Sequence, residues 1–453
     1  MTATLQLDGK FEWASKNVMA SKRLRAVEFF SGVGGLHCGL LGADPTASVV
    51  AAYDVNPNAN AVYGANFPET PINRSDLKRA TAKQLGKFGA DAWLMSPPCQ
   101  PFSRNGKGGD VRDPRSAGFV NLIRVLGHMA APPHWLFIEN VEGFETSECF
   151  ALLTRTLAQR GYAVEIYVLS PHSFGIPNLR DRAFVLAQRD PAMDAGALPA
   201  APAPSPSPAL AAAARPPSAP APAAPLIRRT LASDTRCREV TYVNGTCEMG
   251  TAESEALWTR LNAHCRPLSD FLDPAVVAAT AAAEGEVPPH LAVPPKVLGS
   301  AGQAAAIDIV APESVHTACF TKGYRKFTVG TGSVLQTAQP LHPTPIPRDE
   351  ATLGGLGLRY FSPREIANLH GFPSSFVLDG VVSVKQQYKL LGNSLSVTVV
   401  AALLRHLLSG AVGSGESEEA ATVVGATVVG AMGVAAPAAA YAAAQPLSKK
   451  PRT

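Results

Sequence analysis

Chemistry in this chain is concentrated in the run Met95-Ser96-Pro97-Pro98-Cys99-Gln100-Pro101-Phe102, directly after the apolar stretch Ala92-Trp93-Leu94. Two prolines fix the backbone ahead of Cys99 and a third follows Gln100, so the segment can neither continue a central strand nor enter a helix. It must be a stiff loop. A thiol held on such a loop at a strand end can be aimed at a substrate, and it becomes a nucleophile where its surroundings favour the thiolate. A buried cysteine in a proline-rich turn explains the run equally well when it is taken alone. Three further groups share the pattern of sitting at strand ends. Asp54 closes Val49-Val50-Ala51-Ala52-Tyr53, Glu139 closes Trp135-Leu136-Phe137-Ile138, and Arg180 and Arg182 lead into Ala183-Phe184-Val185-Leu186-Ala187. A carboxyl at the end of an apolar strand is poorly solvated and suited to donating a proton. Arginines two apart on extended chain share a face and can act together on an anion or a base carbonyl. Each has a plainer alternative: Asp54 can cap the helix that follows Asn56-Pro57, and the arginines can be a solvated pair around Asp181.

The elements that must position these groups read as an αβ alternation. Leu24 to Phe30 is a strand pattern, followed by Ser31-Gly32-Val33-Gly34-Gly35 and an apolar helix through Leu36, Leu40 and Leu41. Strand, glycine turn and helix open a nucleotide-type fold, and the glycines let a ligand approach the backbone beside the helix N-terminus. The spacing is not the dinucleotide fingerprint. Asp54 stands about 20 residues beyond the turn, where an acidic side chain in such folds meets the hydroxyls of a ribose. Ser75-Asp76-Leu77 follows the next short apolar piece and is a candidate for an adenine edge. Beyond Cys99, the stretch Ser103 to Asp110 is glycine-rich and polar, with Arg112 and Arg115 behind it. A flexible, positive loop of this kind suits closure over a phosphate-bearing substrate. The glycine turn, Asp54, Cys99 and Glu139 all fall just past the carboxyl ends of expected parallel strands, where open αβ sheets build their ligand crevices.

The whole chain has 453 residues, enough for two or three domains, and a net charge of +4, a weak hint of a polyanionic partner. Seven cysteines without a CxxC pair point to a reducing compartment without structural disulfides. The gaps among Cys237, Cys247, His264 and Cys265 match no zinc pattern, so no metal is expected. Residues 1–23 read as a polar lead-in, 24–190 as the αβ domain, and 191–226, almost wholly Ala, Pro and Ser, as a disordered insertion. Residues 227–345 form a second region containing Cys319-Phe320-Thr321-Lys322-Gly323-Tyr324-Arg325-Lys326. Its interleaved basic and aromatic residues suit nucleic acid, although an exposed hairpin explains the run more cheaply. A globular pattern returns over 346–410: Ser362-Pro363-Arg364-Glu365 is a helix start, Gln387 to Ser394 follows, and Val397 to Leu408 is a closing helix. The tail, 411–453, is low-complexity; its uncharged part is Ala- and Gly-rich and broken by Pro437, so no membrane span is expected. Lys449-Lys450-Pro451-Arg452 is a nuclear-signal candidate or simply a basic end.

Taken in order, FSGVGG (30–35), SPPCQPFSRNG (96–106), ENVEGFE (139–145), the Arg180 and Arg182 pair, RYFSPREIANLHGFP (359–373) and QYKLLGNSLSV (387–397) resemble the motifs of the cytosine-C5 methyltransferase family. The resemblance covers residues 24–190 and 315–410. CFTKGY (319–324) with GTGSVLQT (330–337) resembles the small branch of that family that acts on tRNA, and, as in that branch, no large DNA-binding accessory domain is expected. The resemblance implies an α/β, Rossmann-like S-adenosylmethionine-dependent methyltransferase domain with a smaller target-recognition domain over 227–345. It implies methyl transfer to carbon 5 of cytosine, at cytosine 38 of the aspartate tRNA anticodon loop. Cys99 would attack carbon 6, Glu139 would meet the amino group and ring nitrogen 3, and Arg180 and Arg182 would hold the carbonyl and the loop. The cofactor would lie over Phe30, Ser31, Gly32, Val33, Gly34 and Gly35, with Asp54 at the ribose, Asp76 or Leu77 at adenine, and Ser96, Asn393 and Ser394 completing its site. Gln100, Arg104, Lys107, Cys319, Phe320, Thr321, Lys322 and Tyr324 would contact the substrate. The insertion and the long tail depart from the family. A DNA methyltransferase with the same core and a non-catalytic nucleic-acid-binding relative are the alternatives. A cytoplasmic monomer, with the basic end as a nuclear signal, is the expected state.

Overall fold

The apolar runs expected as strands pair into one sheet. The computed structural model describes residues 23–98, 110–190, 259, 262–282, 286–342 and 345–410. The expected insertion and tail lie outside these residues, as does nearly all of the lead-in. In the first region β1 (Arg25–Phe29), α1 (Gly35–Ala43), β2 (Ser48–Tyr53), α2 (Pro57–Asn66), β3 (Ile72–Asn73), α3 (Ala82–Gly86), β4 (Ala92–Met95), α4 (Ala117–His128), β5 (Trp135–Val141), α5 (Glu148–Gln159), β6 (Tyr162–Leu169) and β7 (Arg182–Arg189) follow in turn. Their strand order, among the described residues, is β3-β2-β1-β4-β5-β7-β6. The order reverses at β1, which is flanked by β2 and β4, so the fold is α/β and Rossmann-like.

β4 is buried along its whole length, as a parallel strand covered on both faces must be. Alternation sorts its side chains. Trp93 and Met95 join Val27, Phe29, Phe119 and Leu122 in the core under α4 and α5. Ala92 and Leu94 face the other way, into a core with Leu36 and Leu40 of α1. β7 runs antiparallel to both β5 and β6. The loop from Leu169 to Arg182 simply turns back, and an antiparallel neighbour needs no crossover helix.

The second region contributes α6 (Pro274–Ala282), α7 (Pro295–Leu298), α8 (Ala301–Ala306), β8 (Ile309–Val310), β9 (Val334–Leu335), α9 (Glu350–Gly355), β10 (Arg359–Tyr360), α10 (Pro363–Leu369), α11 (Val384–Gly392) and α12 (Val397–Leu408). β8, β9 and β10 form a small sheet, ordered β10-β9-β8. The expected boundary at 345 therefore cuts through this sheet, because β10 lies beyond it. Phe361, Ile366 and Tyr388, from the expected return segment, share one apolar cluster with Phe320 and Tyr324. α12 is the element that goes back to the large sheet: Val399, Val400, Leu403, Leu404 and Leu407 pack with Leu36, Leu40 and Leu94.

Candidate active site

The site forms where the strand order reverses, at the carboxyl ends of β1 and β4. The two ends are stitched to their neighbours by backbone bonds: Ser31 N–H donates to Tyr53 O (3.0 Å) and Ser96 N–H to Phe29 O (3.2 Å). Phe30 leaves the strand with φ 54°, left-handed and unusual for an aromatic residue, and Gly32 repeats it at 54°. A Cβ built on Gly32 meets nothing within 4 Å, so the turn faces open space. Asp54 braces it. Its Oδ2 accepts from Gly32 N–H (2.8 Å) and its Oδ1 from Asn56 N–H (2.7 Å), while burial pushes the carboxyl above the usual range. The capping considered for Asp54 belongs to Asn56, whose side chain accepts from Asn58 and Ala59 at the start of α2. Beside Asp54 stands Val55, 69% exposed, a residue the sequence reading passed over. Its signal was an apolar side chain directly after the acidic strand end.

Ser31 Oγ is buried and has no hydrogen-bond partner among the described residues. Ser394 closes the turn from the far side, its Oγ 3.3 Å from the position of a Cβ on Gly35. Asn393, exposed, caps the end of α11. Asp76 accepts from Lys78 N–H (3.0 Å) and so shapes the turn that carries Leu77. Leu77 itself is buried against α4, and its carbonyl accepts from Asn121 (2.8 Å). A braced, open turn with a carboxylate, an exposed apolar side chain and an unpartnered buried hydroxyl fits a nucleoside-type cofactor.

Glu139 is the second half of the site. Pairing between β4 and β5 ends at Met95 and Ile138, whereas β5 continues against β7 through Glu139, Asn140 and Val141. Glu139 is thus the first residue of β5 with no strand beside it on the β4 side. There its Oε2 accepts from Ser96 Oγ (2.7 Å), and its Oε1 lies 3.3 Å from Arg182 Nε. Asn140 Nδ2 donates to Pro97 O (3.3 Å), which pins the first part of the thiol loop to β5. Cys99, Gln100, Arg104 and Lys107 lie outside the described residues.

The arginines divide, contrary to the expectation that both act on one group. β7 begins only at Arg182, so strand alternation does not extend back to Arg180. Arg180 turns inward and is 3% exposed. It donates to Phe320 O (3.0 Å), Cys319 Sγ (3.4 Å), Gly392 O (3.3 Å) and Ser394 O. It joins three chain segments behind the site. The same burial corrects two substrate contacts: Phe320 and Tyr324 are core side chains. The Tyr324 hydroxyl donates to Ser333 O (2.7 Å) and accepts from Phe361 N–H (2.9 Å). Thr321 is half-buried and Lys322 exposed, and their shared peptide packs so closely on Gly392 that a Cβ there would overlap it.

Beneath the turn, β1 buries a carboxyl that its strand pattern alone does not single out. Glu28 accepts from Tyr63 Oη (2.9 Å), and His37 Nδ1 lies 2.9 Å from the same oxygen. Burial pushes the Glu28 carboxyl up to about 8 and His37 down to about 4. A charged residue type inside an otherwise apolar central strand was the available signal.

The C-5 cytosine-specific DNA methylase family matches residues 24–218 and 313–409. A human protein named tRNA (cytosine(38)-C(5))-methyltransferase is 36% identical over 411 residues, covering 85% of this chain and 99% of its own. A Dictyostelium discoideum protein named DNA (cytosine-5)-methyltransferase is 32% identical over 391 residues, covering 86% of this chain and 95% of its own. The crystal structure of S. pombe Dnmt2 methyltransferase superposes with a TM-score of 0.62 at 30% identity, covering 86% of this chain and 99% of that one.

Proposed function

This chain belongs to the C-5 cytosine-specific DNA methylase family, and on that premise we propose that it transfers a methyl group from S-adenosylmethionine to carbon 5 of a tRNA cytosine, cytosine 38 of the aspartate tRNA anticodon loop. The substrate is supported by relatives named for tRNA cytosine 38, which match this chain over nearly their whole length. The chemistry rests on one observation: the Glu139 carboxylate is held between Ser96 and Arg182, beside the pinned start of the thiol loop.

Carbon 5 of a cytosine is too weak a nucleophile to take a methyl group from a sulfonium, so the ring must first be activated by covalent addition. The Cys99 thiolate adds to carbon 6, forming a sulfur–carbon bond and moving an electron pair toward carbon 5 and ring nitrogen 3. Glu139 meets the exocyclic amino group and shares a proton with nitrogen 3 as charge gathers there, a contribution of about a hundredfold or more. Arg182 orients Glu139 and faces the ring carbonyl. S-adenosylmethionine, when bound, would supply the methyl group that carbon 5 accepts, the sulfur–methyl bond breaking with its electron pair left on a neutral thioether. A base then removes the carbon 5 proton, and the electron pair left behind expels Cys99. The target must leave its stack, which is easier in a loop than in a duplex.

The cofactor fits the glycine turn of Phe30 to Gly35. Asp54 keeps lone pairs for ribose hydroxyls, Val55 offers an apolar surface to a base, and Asp76 and Leu77 frame its edge. Ser31, Ser96, Asn393 and Ser394 would complete its site, Asn393 and Ser394 at the methionine end. A monomer in a reducing compartment, cytoplasmic or nuclear, belongs to the same reading; the compartment agrees with the free Cys38, Cys149, Cys265 and Cys319 among the described residues.

The test is methyl transfer from labelled S-adenosylmethionine to total tRNA and, at matched salt, to duplex DNA. Label mapping to one anticodon-loop cytosine supports the proposal. Label in DNA alone transfers it to the second reading, which the Dictyostelium relative's name favours. Cys99→Ala is expected to abolish turnover while retaining cofactor binding, and methylation surviving in that variant would overturn the covalent route.

A further inference from the structure

Burial sorts the aromatic residues around the CFTKGY run. Phe320 and Tyr324 are core, at 0% and 3% exposed, whereas Phe327 is 57% exposed and Val329 38%. Lys322, Arg325 and Lys326 precede them on the same stretch of chain, all exposed, and the Lys326 ammonium lies 5.0 Å from the Phe327 ring centroid. An isolated exposed apolar residue means little, but an exposed aromatic ring with a cation beside it and two more on the same short loop is a binding signature.

The loop is braced rather than loosely hung. Phe327 N–H donates to Gly323 O (3.0 Å) and Thr331 Oγ1 donates to Phe327 O, so the backbone is held on both sides of the ring. Arg325 takes the left-handed φ of 65°, donates to His290 O and rests 5.8 Å from the Tyr388 centroid. A ring on a prepared backbone loses little freedom when something stacks on it. The root of the loop is joined to the candidate site, since Arg180 donates to Phe320 O and Gly392 abuts the Thr321–Lys322 peptide. Arg182, two residues beyond Arg180, pairs with Glu139.

We propose that Phe327 is a stacking platform for an unpaired nucleotide of the RNA substrate near the target base, with Lys322 and Lys326 on the flanking phosphates. The proposal rests on the tRNA reading given above. Two exposed apolar side chains fall far short of a protein interface, and the cationic rim selects a polyanion. Unstacked loop bases are what aromatic side chains recognise in RNA, because a paired base has both faces covered.

The experiment uses the full-length protein and an anticodon stem-loop transcript carrying 2-aminopurine at single loop positions. Phe327→Ala and Phe327→Leu are expected to weaken transcript binding about 5- to 100-fold and to raise KM for RNA in parallel, with loss of the quenching that stacking produces at one position. Phe327→Trp is expected to restore both. S-adenosylhomocysteine affinity and thermal stability, measured alongside, show that each variant is folded. Wild-type affinity in Phe327→Ala, or a Leu variant that binds as well as Trp, would overturn the platform. Labelling of tRNA by the wild-type enzyme tests the underlying reading separately, so either can fail without the other.

Discussion

At the scale of single residues, Glu28 is the group with the most to say about solution behaviour. It faces Tyr63 from α2, His37 and Cys38 from α1, and Asp54 from the end of β2, without a cation among these neighbours. In the fold it keeps its proton up to about pH 8, against an ordinary value of 4.5. The folded chain then binds more protons than the unfolded chain between those limits, so stability falls as pH rises through them. His37 acts in the opposite sense: lowered from 6.5 to about 4 by burial, it makes stability rise with pH across its own window. Between the ordinary His37 value of 6.5 and the raised Glu28 value of about 8, only the Glu28 effect operates within this pair. Glu28→Gln removes that titration. Its Tm relative to wild type is expected to climb steadily across that upper window and then level off, as scanning calorimetry would show. A difference that ignores pH there would mean Glu28 does not titrate in it.

At the scale of elements, the positions of strands and helices were legible because their apolar residues alternate or recur with the right period. The start of α10 was readable to the residue: Ser362 and Glu365 form the reciprocal capping box, and Glu365 also holds Arg359 at 2.8 and 2.7 Å. The direction of β7 was not legible, because alternation is the same in either direction. The inward turn of Arg180 followed from where β7 begins, which pairing decides and local composition does not. β8, β9 and β10 are two residues each, too short to show a period at all. Within the candidate site, Asp54 and Glu139 were readable as acidic strand ends, whereas the braces on them, Ser96 and the Gly32 amide, depend on long-range packing. Arg180 yields a prediction of its own. A lysine cannot span the Cys319–Phe320, Gly392 and Ser394 acceptors, so Arg180→Lys is expected to cost about 2–4 kcal/mol of stability. Chemical denaturation would measure it, and a loss within experimental error would show that the other contacts between these segments suffice.

At the scale of the whole molecule, two distant stretches of chain build one object. The face of the large sheet that carries Leu94 and Leu186, with Leu36 and Leu40 of α1 beside it, is covered by α12, from the far end of the described chain. Gly39 lets the two helices meet, since a Cβ there would overlap the Val400 side chain. The site has the same composite character: Ser394 sits on the glycine turn, and Arg180 holds the second region by its carbonyls. These joining contacts are noncovalent, and they lie on elements before Asp190 and after Pro267. None of these named contacts depends on the peptide linkage between those points. Co-expressed fragments 1–225 and 226–453 are expected to co-purify as a one-to-one complex with methyl transfer intact, whereas fragment 1–225 alone should aggregate through its bare sheet face. Fragments that stay apart on size exclusion would refute this. In quaternary terms, the single chain meets itself as two partner subunits would, a sheet on one side and the helix that covers it on the other.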